Sequence, residues 1–110
     1  MNDSSAKLPE AASSPENCET MVEVRAGVDA TDREIVALLE RRFGYMRAAA
    51  RIKPTREAVR DEERKASVIA AAVAEAEARS LPVELIAELW EQLVEGSIAY
   101  EFGHWDKIRD

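Results

Sequence analysis

The chain has 110 residues, enough for one domain, and an all-helical domain this small has a limited core that oligomerisation often completes. Hydrophobic residues make up 46% and aromatic residues only 5%, with 4 Gly and 4 Pro, a helix-rich composition that excludes a β-sandwich and a disordered chain. A net charge of −7 argues against a general nucleic-acid binder, and the lack of a run of about 18 apolar residues argues against a membrane span.

Residues 1 to about 18 are rich in Ser, Ala, Pro, Asn and Glu without an apolar stripe, the pattern of a disordered leader, which leaves 19–110 as the domain. The leader lacks the basic-then-apolar order of a secretory signal. Cys18, the single cysteine, has no intrachain partner, so the cytoplasm is the expected compartment.

From about Thr20 to Ile52, Val24, Val28, Ile35, Val36, Leu38, Leu39, Phe43 and Met46 recur at three- and four-residue intervals with no proline between them, predicting one helix of roughly 30 residues. Gly27 and Gly44 within it suggest close approach of a neighbouring helix or a ligand. Pro54 ends the helix, because it lacks the donor a continuing helix needs and pushes the residue before it out of the α region. After a connector over 54–59, a second helix is expected from about Asp61, its cap or first-turn acid, to Ala78, burying Val68, Ile69, Ala72, Val73 and Ala76. Ser80, Leu81 and Pro82 break it, and Pro82 suits the first turn of a third helix ending near Asp106. Leu85, Ile86, Leu89, Trp90, Leu93, Val94, Ile98 and Phe102 share one face of that helix.

The fold class is therefore all-α, with a long first, a medium second and a long third helix. A helix of about 30 residues is about 45 Å long, more than a compact monomer of this mass can cover, so the expected assembly is a helical dimer, intertwined or side by side. The alternative is a monomeric three-helix bundle.

Charge is unevenly placed. Nine basic residues (Arg41, Arg42, Arg47, Arg51, Lys53, Arg56, Arg60, Arg64, Lys65) meet four acidic ones between 41 and 65, a local +5 that leaves −12 for the rest of the chain. This suits a focused site for a small anion; the alternative is a solvated basic helix face. With one histidine, His104, one cysteine and no ligand spacing around either, no metal site is expected. Nor is there a nucleophile–base pair or a Gly-rich phosphate loop, so covalent catalysis is not expected.

What remains is cations on the first helix and polar groups on the third, in VRAGVDATDREIVALLERR, AARIK, VRDEERK and EGSIAYE. In these segments the chain resembles the all-helical chorismate mutase family over about residues 21–105. The resemblance implies a homodimer with a long first helix in each protomer, a dianionic small-molecule substrate and no cofactor. It also implies the [3,3]-sigmatropic rearrangement of chorismate to prephenate, in phenylalanine and tyrosine biosynthesis. By position, Arg42, Lys53 and Glu101 are its catalytic residues. Arg25, contributed across the interface, binds substrate together with Asp61, Arg64 and Ser97.

Arg25 and Arg42 are about 25 Å apart along a straight helix, so one small dianion cannot engage both on a single chain, whereas an antiparallel partner brings its Arg25 beside Arg42. Arg42 and Lys53, about three turns apart, lie on nearly the same face. Such chemistry needs neither base nor nucleophile: arginines fix the carboxylates, and a lysine with a second donor at the ether oxygen stabilises the developing negative charge.

Two positions depart from the family pattern. Lys65 stands where some chorismate mutases carry a glutamate against the ring hydroxyl. Glu101 stands where many carry glutamine, and it can donate a hydrogen bond only when protonated. The segments RRFGYMRAAARIKPTREAV and IAYEFGHW are more similar to the isochorismate pyruvate lyase branch, whose members carry glutamine at the Glu101 position. The alternatives are thus that lyase, giving salicylate and pyruvate, a mutase of the 4-amino analogue, or a non-catalytic helical dimerisation module.

Overall fold

A computed structural model describes residues 13–110. The described residues form three α-helices and no strand: α1 (Met21–Ile52), α2 (Glu62–Ala78) and α3 (Val83–Ile108), with single 3-10 turns at Pro15–Asn17 and Arg56–Val59. The expected all-α class and helix order are borne out. Of the leader expected over 1–18, residues 1–12 lie outside the described residues. No helix among the described residues is long and apolar enough to cross a membrane.

The chain divides into two units, one up to Arg42 and the other from Phe43 to Asp110. In the first, α1 begins with a reciprocal cap. Thr20 Oγ1 accepts from the Glu23 N–H at 3.2 Å, and Glu23 Oε1 accepts from the N–H groups of Glu19 and Thr20 at 2.6 and 3.2 Å. These backbone donors hold the Glu23 carboxyl below its ordinary range. A Cβ on Gly27 would stand 3.9 Å from the Ser13 carbonyl, an ordinary contact, and one on Gly44 would meet only the flexible Arg47 guanidinium at 3.4 Å. Within the single chain neither glycine is wedged. Much of the apolar face expected to be covered is open: Val24, Val28, Ile35, Val36 and Leu38 are all exposed.

In the second unit, α1 closes with the Lys53 N–H bonded to the Ala49 carbonyl at 2.9 Å, directly before Pro54. Asp61 caps α2, its carboxylate accepting from the Arg64 N–H at 3.0 Å. The other end of α2 is a Schellman turn: the Leu81 N–H reaches the Ala76 carbonyl at 2.8 Å and the Ser80 N–H reaches Glu77 at 3.1 Å. This turn puts Ser80 at φ 59°, a conformation glycine would adopt with less strain. Pro82 is the extended cap of α3 rather than its first helical residue.

Val59, Val94 and Ile98 form the core, with Val68, Ile69, Trp90, Phe102 and Trp105 packed against it. Leu85 and Leu89, expected on the buried face of α3, are each 50% exposed, because the apolar stripe of α3 is wider than its neighbours in the chain.

Charge also ties α2 to α3. Lys65 Nζ bridges Glu91 and Glu95 at 2.9 and 2.6 Å, and Arg60 grips Glu95 at 2.8 Å. The hydrogen bonds from Arg60, then Lys65, pull the Glu95 carboxyl down to about 2 from an ordinary 4.5. A lowered carboxyl adds stability above the unfolded value and loses it as pH falls toward the folded one. Glu95→Gln is therefore expected to lower Tm by a few degrees at neutral pH, with the gap to the parent closing between about pH 4.5 and about 2. Circular-dichroism melts across that window check this, and a gap independent of pH would contradict it.

Candidate active site

The chemistry expected of this chain centres on Lys53 and Glu101, and the fold brings these two together. Lys53 Nζ lies 2.8 Å from Glu101 Oε2, with the lysine side chain 30% exposed and the glutamate 5%. The ammonium also donates to the Val59 carbonyl at 3.4 Å. Lys53 leaves the last turn of α1 just before the proline break, and Glu101 projects from the buried face of α3, so an ordinary helix end and an ordinary helix face create the pair.

The pair is close but misaligned. Glu101 Oε2 has its counter-charge at contact distance, yet no aligned hydrogen-bond donor among the described residues. A buried carboxylate oxygen in that state is costly.

One turn before Glu101, Ser97 is buried, its Oγ donating to the Leu93 carbonyl at 2.6 Å, a bond inside α3. Arg64 is exposed on the first turn of α2 and makes no ion pair among the described residues. Its neighbours Arg56, Arg60 and Lys65 all do, with Asp106, Glu95, and Glu91 and Glu95 respectively. Part of the basic run is therefore internal scaffolding, and Lys65 is drawn onto α3.

Arg25 and Arg42 both lie on α1, 17 positions apart in an unbroken helix, hence separated by about 25 Å. Arg25 is exposed and has no ion pair among the described residues, whereas Arg42 is half-buried. Asp61 serves its helix cap, and the first-turn Arg64 follows three residues later.

Two residues that apolar periodicity does not single out complete the surroundings of Lys53. Trp105 Nε1 donates to the Lys53 carbonyl at 3.0 Å, and Arg109 Nη2 donates to the same carbonyl at 2.9 Å. Ser97, Glu101 and Trp105 recur every fourth position along one side of α3, and Arg109, four residues further, is its C-cap.

What this arrangement offers is a cation beside a buried carboxyl, with hydrogen-bonding capacity still unmet. Such a site stabilises charge on an oxygen atom without forming a covalent bond to it.

Comparison with known proteins agrees with this assignment of the fold. The family described as chorismate mutase type II matches residues 24–102, a span that contains all seven candidate residues from Arg25 to Glu101. An isochorismate pyruvate lyase from Pseudomonas aeruginosa is 30% identical over 95 residues, covering 86% of this chain and 94% of that protein. With the family pattern spanning most of the chain, and the lysine and carboxyl standing together at the core of the second unit, this protein belongs to the chorismate mutase type II family.

Proposed function

We propose that this protein is a chorismate mutase, converting chorismate to prephenate by an intramolecular [3,3]-sigmatropic rearrangement. The observation that carries the reading is the 2.8 Å pairing of Lys53 with a buried Glu101 that lacks an aligned donor. During the rearrangement the ether C–O bond breaks as a C–C bond forms, with no net proton transfer. Negative charge grows on the ether oxygen. Lys53 donates to that oxygen, and Glu101 in its protonated form supplies a second hydrogen bond.

Arg42 and the partner's Arg25 hold the two carboxylates, together with Arg64 and Ser97, while Asp61 lies toward the ring hydroxyl. The gain comes from fixing the reactive conformer and from charges already in place before the barrier is climbed. No cofactor takes part in this scheme. The exposed apolar face of α1 supports a homodimer that completes the site.

A second reading has its own support. The similarity to the Pseudomonas isochorismate pyruvate lyase favours cleavage of isochorismate to salicylate and pyruvate on the same scaffold. Glu101 favours the mutase, since the lyase branch that the chain resembles carries glutamine there. The deciding experiment is incubation of the purified protein with chorismate and, separately, with isochorismate, followed by chromatography. Prephenate from chorismate supports the proposal; salicylate and pyruvate from isochorismate alone replace it with the lyase.

Because Glu101 is assigned as a hydrogen-bond donor to the ether oxygen, Glu101→Gln, which always carries a donor, is expected to retain prephenate formation, and loss of activity in that variant would remove Glu101 from the reaction as a donor.

A further inference from the structure

We propose that Trp105 and Arg109 are positioning residues for Lys53, clamping its carbonyl so that its ammonium is held against Glu101. The inference rests on the reading of Lys53 as the donor at the reacting oxygen. Both residues lie beyond the 24–102 span of the family match, Trp105 on the last turn of α3 and Arg109 as the residue that caps it.

The clamp answers a specific weakness. Lys53 follows the last residue of α1, where the final carbonyls of a helix have no intrahelical donors, and Pro54 removes the next N–H altogether. A lysine on such a frayed end would wander through its own rotamers and through those of the backbone beneath it. Here the end is tied down from α3. The Arg109 guanidinium donates to the carbonyls of Ala50 at 3.1 Å, Arg51 at 3.4 Å and Lys53 at 2.9 Å. The Trp105 indole N–H adds the second bond to Lys53.

Arg109 is itself held, its guanidinium stacked 4.1 Å above the Trp105 ring. Three carbonyls diverging from a helix end suit a planar fork with several donors, which arginine has and lysine lacks. Glu101 and Trp105 are four residues apart on α3, so one side of one helix grips Lys53 twice, at the ammonium and at the carbonyl. The register between those grips sets where the ammonium stands relative to Glu101.

The test uses the full chain with Trp105→Phe, which keeps an aromatic ring and removes the N–H, and Arg109→Lys, which keeps the charge and loses the fork. Asp106→Asn is the control, breaking the nearby Arg56–Asp106 pair without touching Lys53. Two quantities are read: the steady-state parameters, and the NMR signal of the Lys53 side-chain Cε–Nζ group in the absence of substrate.

Both clamp variants are expected to shift the Lys53 signal toward that of an exposed lysine and to lower kcat about tenfold, with KM changing far less. The control is expected to lower Tm alone. If the clamp variants lower Tm but leave kcat and the Lys53 signal as in the parent, the clamp is only a helix cap and the proposal is overturned. If the parent protein turns over neither chorismate nor isochorismate while the Lys53 signal still moves in the variants, the functional reading fails and the positioning of Lys53 stands.

Discussion

Lys53→Met is expected to lower kcat/KM for chorismate by about 10²- to 10³-fold, the usual cost of removing one donor from a developing oxyanion. Most of the loss should fall in kcat, because the ether oxygen carries little charge in the ground state and the interaction is made chiefly in the transition state. Methionine matches the length of the lysine stem, so the packing around Val59 and Trp105 is retained while the charge disappears. The substitution also strands Glu101, at 5% side-chain exposure, without the cation 2.8 Å away. Burying a carboxylate with no counter-charge is destabilising, so Lys53→Met should melt below the parent, and Lys53→Met/Glu101→Gln should recover part of that loss without recovering kcat. Stability would then respond to the second substitution while activity would not. Steady-state prephenate formation and thermal melts of the three proteins check both halves. Activity of Lys53→Met within tenfold of the parent would place the reacting oxygen elsewhere.

Why Lys53 and Glu101 were legible as members of one candidate site, while Trp105 and Arg109 were not, follows from the kinds of signal a sequence holds. Pro54, the Asp61 cap and the Ser80–Pro82 break are local: each acts on its own turn of backbone, and the helices end where those residues dictate. Lys53 and Glu101 entered one candidate site through resemblance to a family, and their contact is seen only in the fold. A backbone carbonyl accepts a hydrogen bond whatever side chain it carries, so the Trp105 and Arg109 bonds to Lys53 leave no mark at position 53. The fourfold spacing from Ser97 to Arg109 was visible, but a stripe of mixed polar and aromatic residues does not itself name what lies opposite. Lys65 illustrates the same limit, because its partners Glu91 and Glu95 are 26 and 30 residues away and only the packing of α2 on α3 selects them. Leu85 and Leu89 have the same periodicity as the buried residues of α3; burial depends on the neighbour, which periodicity does not count. The reciprocal cap of Thr20 and Glu23 is a local motif, but a scan for apolar spacing passes over it.

The separation of Arg25 and Arg42 leads to the largest effect expected of the assembly. Each arginine replaced alone by alanine should lower kcat/KM by several orders of magnitude if, as proposed, each fixes a carboxylate of a substrate far shorter than the roughly 25 Å of helix between them. If a site takes Arg42 from one protomer and Arg25 from its partner, a protomer carrying Arg25→Ala still offers an intact Arg42, and one carrying Arg42→Ala still offers an intact Arg25. Mixed in equal amounts and allowed to exchange, the two inactive proteins form mixed dimers in half of all pairings. Each mixed dimer has one site with both arginines and one with neither, so the mixture should recover about a quarter of the parent activity. A site built within one chain gives a different result, because no pairing then unites the two intact arginines and the mixture stays as inactive as its components. The exposed apolar face of α1, which includes Val24, Val28, Ile35 and Leu38, supports the association that such exchange requires. Diluting the mixture below the dimer dissociation constant should abolish the recovered activity, which ties the rescue to association, while assay of each variant alone excludes contamination by parent protein.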